Sequence, residues 1–174
     1  MFYYKKQIKH KSITHEKGIG LIETIAAMGV AMIIVTSIVS LSVYTLRAST
    51  TSKLMIMGSK YATEELERLR AKRDTTNTWL SFYNSVVPAC DTVGEYCYIN
   101  SSLGIAQAVS TPGEFINTGG GENMRRYFWV TNPNGGGLSP AQNILRFNVR
   151  VTWVVGGQTK NTYIYTDLSN WRNL

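Results

Sequence analysis

From Thr24 to Leu46 the chain runs 23 residues without a single charge, most of them apolar. As a helix, at about 1.5 Å per residue, that stretch would measure about 34 Å. A bilayer's hydrocarbon core is about 30 Å thick. Helix-compatible sequence continues past Leu46, but the pattern changes. Tyr61, Leu66 and Leu69, helped by Ala62, make an apolar stripe at helical spacing. Glu64, Glu65, Glu67, Arg68, Arg70, Lys72 and Arg73 fill the other face. Glu64 and Arg68 form an i,i+4 pair in the favourable orientation. The pattern predicts one helix from Ile19 to about Arg73, with Gly58 its weak point. Residues 19–46 suit lipid, and residues 47–73 form an amphipathic continuation that packs on a sheet. Met55 and Met57 precede the stripe and can meet neighbouring elements. Asp74-Thr75-Thr76-Asn77 supplies the residues that stop the helix.

Residues 74–174 carry a different period. Arg146 to Trp153 alternates strictly, which predicts a strand with Phe147, Val149, Val151 and Trp153 on its core face. Gly156-Gly157 predicts a hairpin turn. A second strand follows from about Asn161 to Leu168, with Ile164 and Leu168 inward and Tyr163 and Tyr165 outward. Arg126 to Thr131 is a third. The expected class is α+β, a long N-terminal helix on an antiparallel sheet of three to four strands. Trp79 to Val87 is aromatic-rich and admits a short helix. Gly119-Gly120-Gly121 and Gly135-Gly136-Gly137 read as flexible loops, since no Gly-Lys-Ser/Thr follows either to make a phosphate loop.

Charge sharpens the picture at the N-terminus. The formal net charge is +7, and five lysines against Glu16 within residues 1–18 account for +4, leaving +3 for the rest. The excess of lysine before the apolar run favours a cytoplasmic N-terminus. Both histidines, His10 and His15, also fall in that segment. Without it, no Ser-His, Cys-His or His-metal site can be built. The acids beyond the helix and its terminating turn, Asp91, Glu95, Glu114, Glu122 and Asp167, are few and scattered along the sequence. The expectation is therefore no enzyme, no metal and no cofactor. An ordinary secretory signal has an apolar region of about 7–15 residues, so this run is too long for one. A plain single-pass anchor would fit the run but would not require Gly18 or Glu23.

Glu23 stands at the head of the apolar run, where a carboxylate beside hydrocarbon is costly. Lys17-Gly18-Ile19-Gly20-Leu21-Ile22-Glu23 resembles the processing signal of type IV pilin-like proteins: pilins, minor pilins and type II secretion pseudopilins. The resemblance implies cleavage by a membrane prepilin peptidase between Gly18 and Ile19, then N-methylation of Ile19. It implies that Glu23 pairs with the N-terminal amine of a neighbouring subunit in a filament. Partners would be other pilin-like subunits and an inner-membrane assembly platform. Tyr61 to Arg70, and the Val-Thr-Trp strand, Gly turn and closing strand, are similar to minor pilins of the pilus modification type. The implied location is the bacterial inner membrane, leader inside and head outside, and then a filament. Alternatives are a type II secretion pseudopilin and a DNA-binding pilin-like factor of DNA uptake.

Two further features bear on the head. Cys90 and Cys97 bracket a short loop containing Gly94. Oxidation is expected outside the inner membrane, with two free thiols as the alternative. Arg146, Arg150, Tyr163 and Tyr165 should share the outer sheet face, with Arg125 and Lys160 nearby. Cations beside aromatics can bind single-stranded nucleic acid, or the face can contact the next subunit.

Overall fold

The computed structural model describes residues 19–90, 96–107, 113–119 and 122–171. The proposed leader with Gly18 lies outside these, as do Asp91, Gly94, Glu95, Gly120 and Gly121. The long helix α1 spans Ile19–Thr75, two residues beyond the expected end. The chain divides into two compact units between Ala48 and Ser49.

In the first unit, α1 is long and apolar enough to cross a membrane, with a mean hydropathy of 2.2 in its most apolar window. Its side chains from Gly20 to Ala48 are exposed. Several hydroxyls along it are turned back on their own helix. Thr36 donates to the Met32 carbonyl at 2.9 Å, Ser37 to Ile33 at 2.7 Å and Ser42 to Ile38 at 2.8 Å. Each hydroxyl donor is thereby satisfied without water, which is what hydrocarbon surroundings require.

In the second unit, α1 turns Leu54, Ala62, Leu66 and Leu69 into the core, so the predicted stripe is buried except for Tyr61, which is half-buried against it. A second helix, α2, spans Trp79–Cys90. Thr78 caps it, its hydroxyl accepting from the Ser81 amide at 3.2 Å. α2 buries Trp79, Phe82, Tyr83, Val86 and Val87. Phe82 meets Phe147 of the sheet at 5.9 Å between ring centres.

Among the described residues the sheet has six antiparallel strands rather than three or four. They are β1 (Cys97–Ile99), β2 (Ile105–Gln107), β3 (Glu114–Asn117), β4 (Asn123–Thr131), β5 (Ile144–Val155) and β6 (Gln158–Ser169). Their order is β2-β1-β4-β5-β6, with β3 also pairing β4. The three long strands are the three the sequence predicts, each somewhat longer than expected. The extra strands have three or four residues each, too few to show a period. In register, Met124 faces Trp153, Phe128 faces Val149 and Val149 faces Ile164. Phe147, Val149, Val151 and Trp153 are buried on the core face as expected. The β5–β6 turn uses Gly156 and Gly157 at φ of 58° and 77°. Two positive φ angles are what a two-residue turn of the I′ type demands.

Candidate functional site

Glu23 lies in the first turns of α1 and is exposed. Among the described residues it forms no salt bridge. Next to it, the Thr24 hydroxyl donates to the Leu21 carbonyl at 2.9 Å. A lone carboxylate thus precedes the uncharged apolar stretch Thr24 to Leu46 of α1. In a dry bundle such a group needs a cation, because an unpaired buried charge costs several kcal/mol. Ile19 begins α1.

Cys90 and Cys97 are bonded to each other, with Cα atoms 5.9 Å apart. The bond joins the last residue of α2 to the first of β1, so it fixes where β1 begins. Both residues are fully buried.

The outer face of the sheet brings Arg146, Arg150, Tyr163 and Tyr165 together, as expected. It also carries three rings that the sequence reading did not include. Tyr96, Tyr127, Trp129, Tyr163 and Tyr165 follow one another at centroid spacings of 4.9, 6.2, 5.8 and 6.3 Å. The ladder arises from cross-strand neighbours: Tyr127 is opposite Arg150, and Arg150 opposite Tyr163. The Arg150 guanidinium lies over Trp129 at 5.2 Å and Tyr163 at 6.0 Å. Arg146 lies over Tyr165 at 4.7 Å. It also makes a two-pronged bond to Asp167, at 2.7 and 2.8 Å. That bond holds the Asp167 carboxyl below the usual carboxylate range and raises Arg146 above its own. Arg125 is on the same face, over Phe115 at 5.6 Å. Lys160 is not: it stands opposite Trp153, in the core-facing row. The Tyr163 hydroxyl donates to Asn148 at 2.6 Å, and Asn148 donates to Thr131 at 2.9 Å.

Tyr127 and Trp129 are nearly buried, while Tyr163 and Tyr165 are 45% and 58% exposed. Two rings are therefore free to meet a partner, and Arg146 already has its anion. That leaves Arg125 and Arg150 as the cations on this face, a thin field for phosphates.

One cluster was missed by the sequence reading. Glu65, expected on the solvent face, is fully buried, as is its partner Arg126 at 1% exposure. Glu65 Oε1 accepts from the Ile99 amide at 2.7 Å. Its Oε2 lies 3.1 Å from Arg126 Nε, though no hydrogen bond reaches that oxygen. Arg126 donates through Nε and Nη2 to Glu114, and through Nη1 to the Tyr61 carbonyl at 3.0 Å. Arg68 donates to Glu64 at 2.6 Å and to the Ile99 carbonyl at 2.9 Å. Burial pushes the Glu65 carboxyl up to about 7, against the opposing pull of Arg126. A signal was present: Glu65 is three residues after Ala62 and four before Leu69, which puts it on the edge of the apolar stripe.

Among the described residues, no group of three metal-ligating side chains occurs. Comparison with family models, characterised proteins and solved structures finds no match.

Proposed function

We propose that this protein is a pilin-like subunit, a minor pilin or pseudopilin, whose work is assembly into a filament. The observation that carries this is Glu23, a single charge at the head of an apolar helix, five residues after Gly18. The α+β architecture, an N-terminal helix whose later turns pack on an antiparallel sheet, is consistent with it. On this reading the precursor sits in a bacterial inner membrane with the leader inside. Cutting between Gly18 and Ile19 frees an amine. Entry into the filament buries the apolar helix among its neighbours, and Glu23 neutralises the amine of the next subunit. That pairing sets axial register, since a mispaired charge in a dry bundle costs several kcal/mol.

The test is the N-terminal sequence of the protein from membranes of cells with and without prepilin peptidase. A peptidase-dependent start at Ile19, N-methylated, is expected. An intact Met1 in both strains would make this a plain tethered domain. Glu23→Val should insert into the membrane yet fail to enter filaments, and wild-type incorporation would remove the register role.

A type II secretion pseudopilin remains the alternative machine. A second reading, binding of single-stranded nucleic acid, draws on exposed Tyr163 and Tyr165 beside Arg150. The Arg146–Asp167 pair weighs against it. Loss of oligonucleotide binding in an Arg146/Arg150 double variant that assembles normally would favour it.

A further inference from the structure

The outer edge of β4 is shared. Residues Asn123–Arg126 pair with β3, and Phe128 pairs with Cys97 of β1. Beyond Cys97, β1 follows β2 instead. Ile99 thus has no β4 partner, and α1 replaces one. Glu65 takes the Ile99 amide and Arg68 gives to its carbonyl, at 2.7 and 2.9 Å. Two side chains one helical turn apart therefore do the work of a strand. Arg126 fills the fork between β1 and β3, tied to Glu114 of β3 and to the Tyr61 carbonyl of α1.

Among the described residues, the charges in this fork do not balance. Three carboxyls, Glu64 and Glu65 of α1 and Glu114 of β3, meet two guanidiniums, Arg68 of α1 and Arg126 of β4. Their side chains are 41%, 0% and 27% exposed in that order of acids. The surplus charge is hardest to keep on Glu65, which is enclosed and has one oxygen without a hydrogen bond.

We propose that this cluster is a proton-operated latch: neutral Glu65 holds β1 and β2 shut on α1, and its ionisation favours their release. Opening lets the carboxylate hydrate, so ionisation and opening are linked. The direction follows from the closed-state carboxyl titrating at about 7 against an ordinary value of 4.5. Below the lower value both states hold the proton and pH has no effect. Between the two, only the closed state keeps it, so opening grows about tenfold per pH unit. Above the upper value both are ionised and the effect levels off. The Cys90–Cys97 bond keeps the released segment tethered to α2. The latch is independent of the filament reading.

The experiment is amide hydrogen exchange on the full chain in detergent micelles from pH 5 to 8.5, corrected for intrinsic exchange. Opening at Tyr98, Ile99 and Ala106 should rise about a hundredfold up to neutrality and then flatten. Phe147 and Val149 in β5 are the internal reference and should not follow. Glu65→Gln keeps an acceptor for Ile99 but cannot ionise, so its profile should be flat. The same rise in Glu65→Gln, or a flat wild-type profile, overturns the latch. Carbon-13 titration of the wild-type Glu65 carboxyl supplies a readout free of any variant. A midpoint at about 7 is expected, and an ordinary carboxylate midpoint refutes the proposal.

Discussion

At Gly58 the helix comes close against Trp153 of the sheet, and the site offers a quantitative test of how the head is packed. A Cβ placed there would sit 2.8 Å from Cζ3 of Trp153 and 3.2 Å from the Thr162 hydroxyl. Trp153 is 2% exposed and cannot swing aside. In an open helix, replacing Gly by Ala would stabilise by about 1 kcal/mol. Forcing a methyl into a filled core costs about 1–3 kcal/mol. The overlap here is with a rigid ring, so the steric cost should win, and Gly58→Ala should destabilise the head by about 1 kcal/mol. For a unit of this size that lowers Tm by about 3–5 °C. Near-ultraviolet circular dichroism of the full chain in detergent follows the packed tryptophans and reads the transition. The companion variant is Trp153→Phe, which removes the clashing ring atoms. In that background the helix-propensity gain should emerge and Gly58→Ala should become neutral or stabilising. The double-mutant cycle subtracts the cavity that Phe leaves. If Gly58→Ala raises Tm in the wild-type background, or costs the same in both, the close approach is not why glycine is there.

Three other outcomes are expected. Cys90→Ser should lower stability by about 2.5 kcal/mol, the loop-closure value for so short a bridge, read as a Tm loss that reducing agent reproduces in the wild type. Arg126→Ala should cost about 1–3 kcal/mol, because it leaves Glu114 and the Tyr61 carbonyl without their donors; chemical denaturation measures it, and no measurable loss would refute the pairing. Asp167→Asn should cost less than about 1 kcal/mol, since the Arg146 pair is exposed, and that small loss should vanish at high salt.

β4 and β6 were placed as strands, with faces assigned for β6 alone, and alternation was enough to place β5 and to assign its faces, because β5 repeats its period several times. The helical stripe of Ala62, Leu66 and Leu69 was legible for the same reason. The strands β1, β2 and β3 were not. Each has too few residues for a period and exists only through its partners: β4 and α1 for β1, β1 for β2, and β4 for β3. Glu65 was placed on the wrong face because charge was read as exposure. Arg126, far along the chain, is what makes its burial tolerable. The outer-face group was legible in part: Arg146, Arg150, Tyr163 and Tyr165 followed from alternation, whereas the ladder through Tyr96, Tyr127 and Trp129 needed strand register.

What the amino-acid sequence determined by itself is local. An uncharged run of 23 residues headed by Glu23 requires apolar surroundings whatever else the chain does, because desolvation depends on residue type. What only the tertiary structure decided is pairing. Arg146 is matched by Asp167, Glu65 is enclosed by Arg126, and Gly58 is pressed by Trp153. Such contacts join residues distant in sequence, and their energies depend on distances that no local pattern encodes.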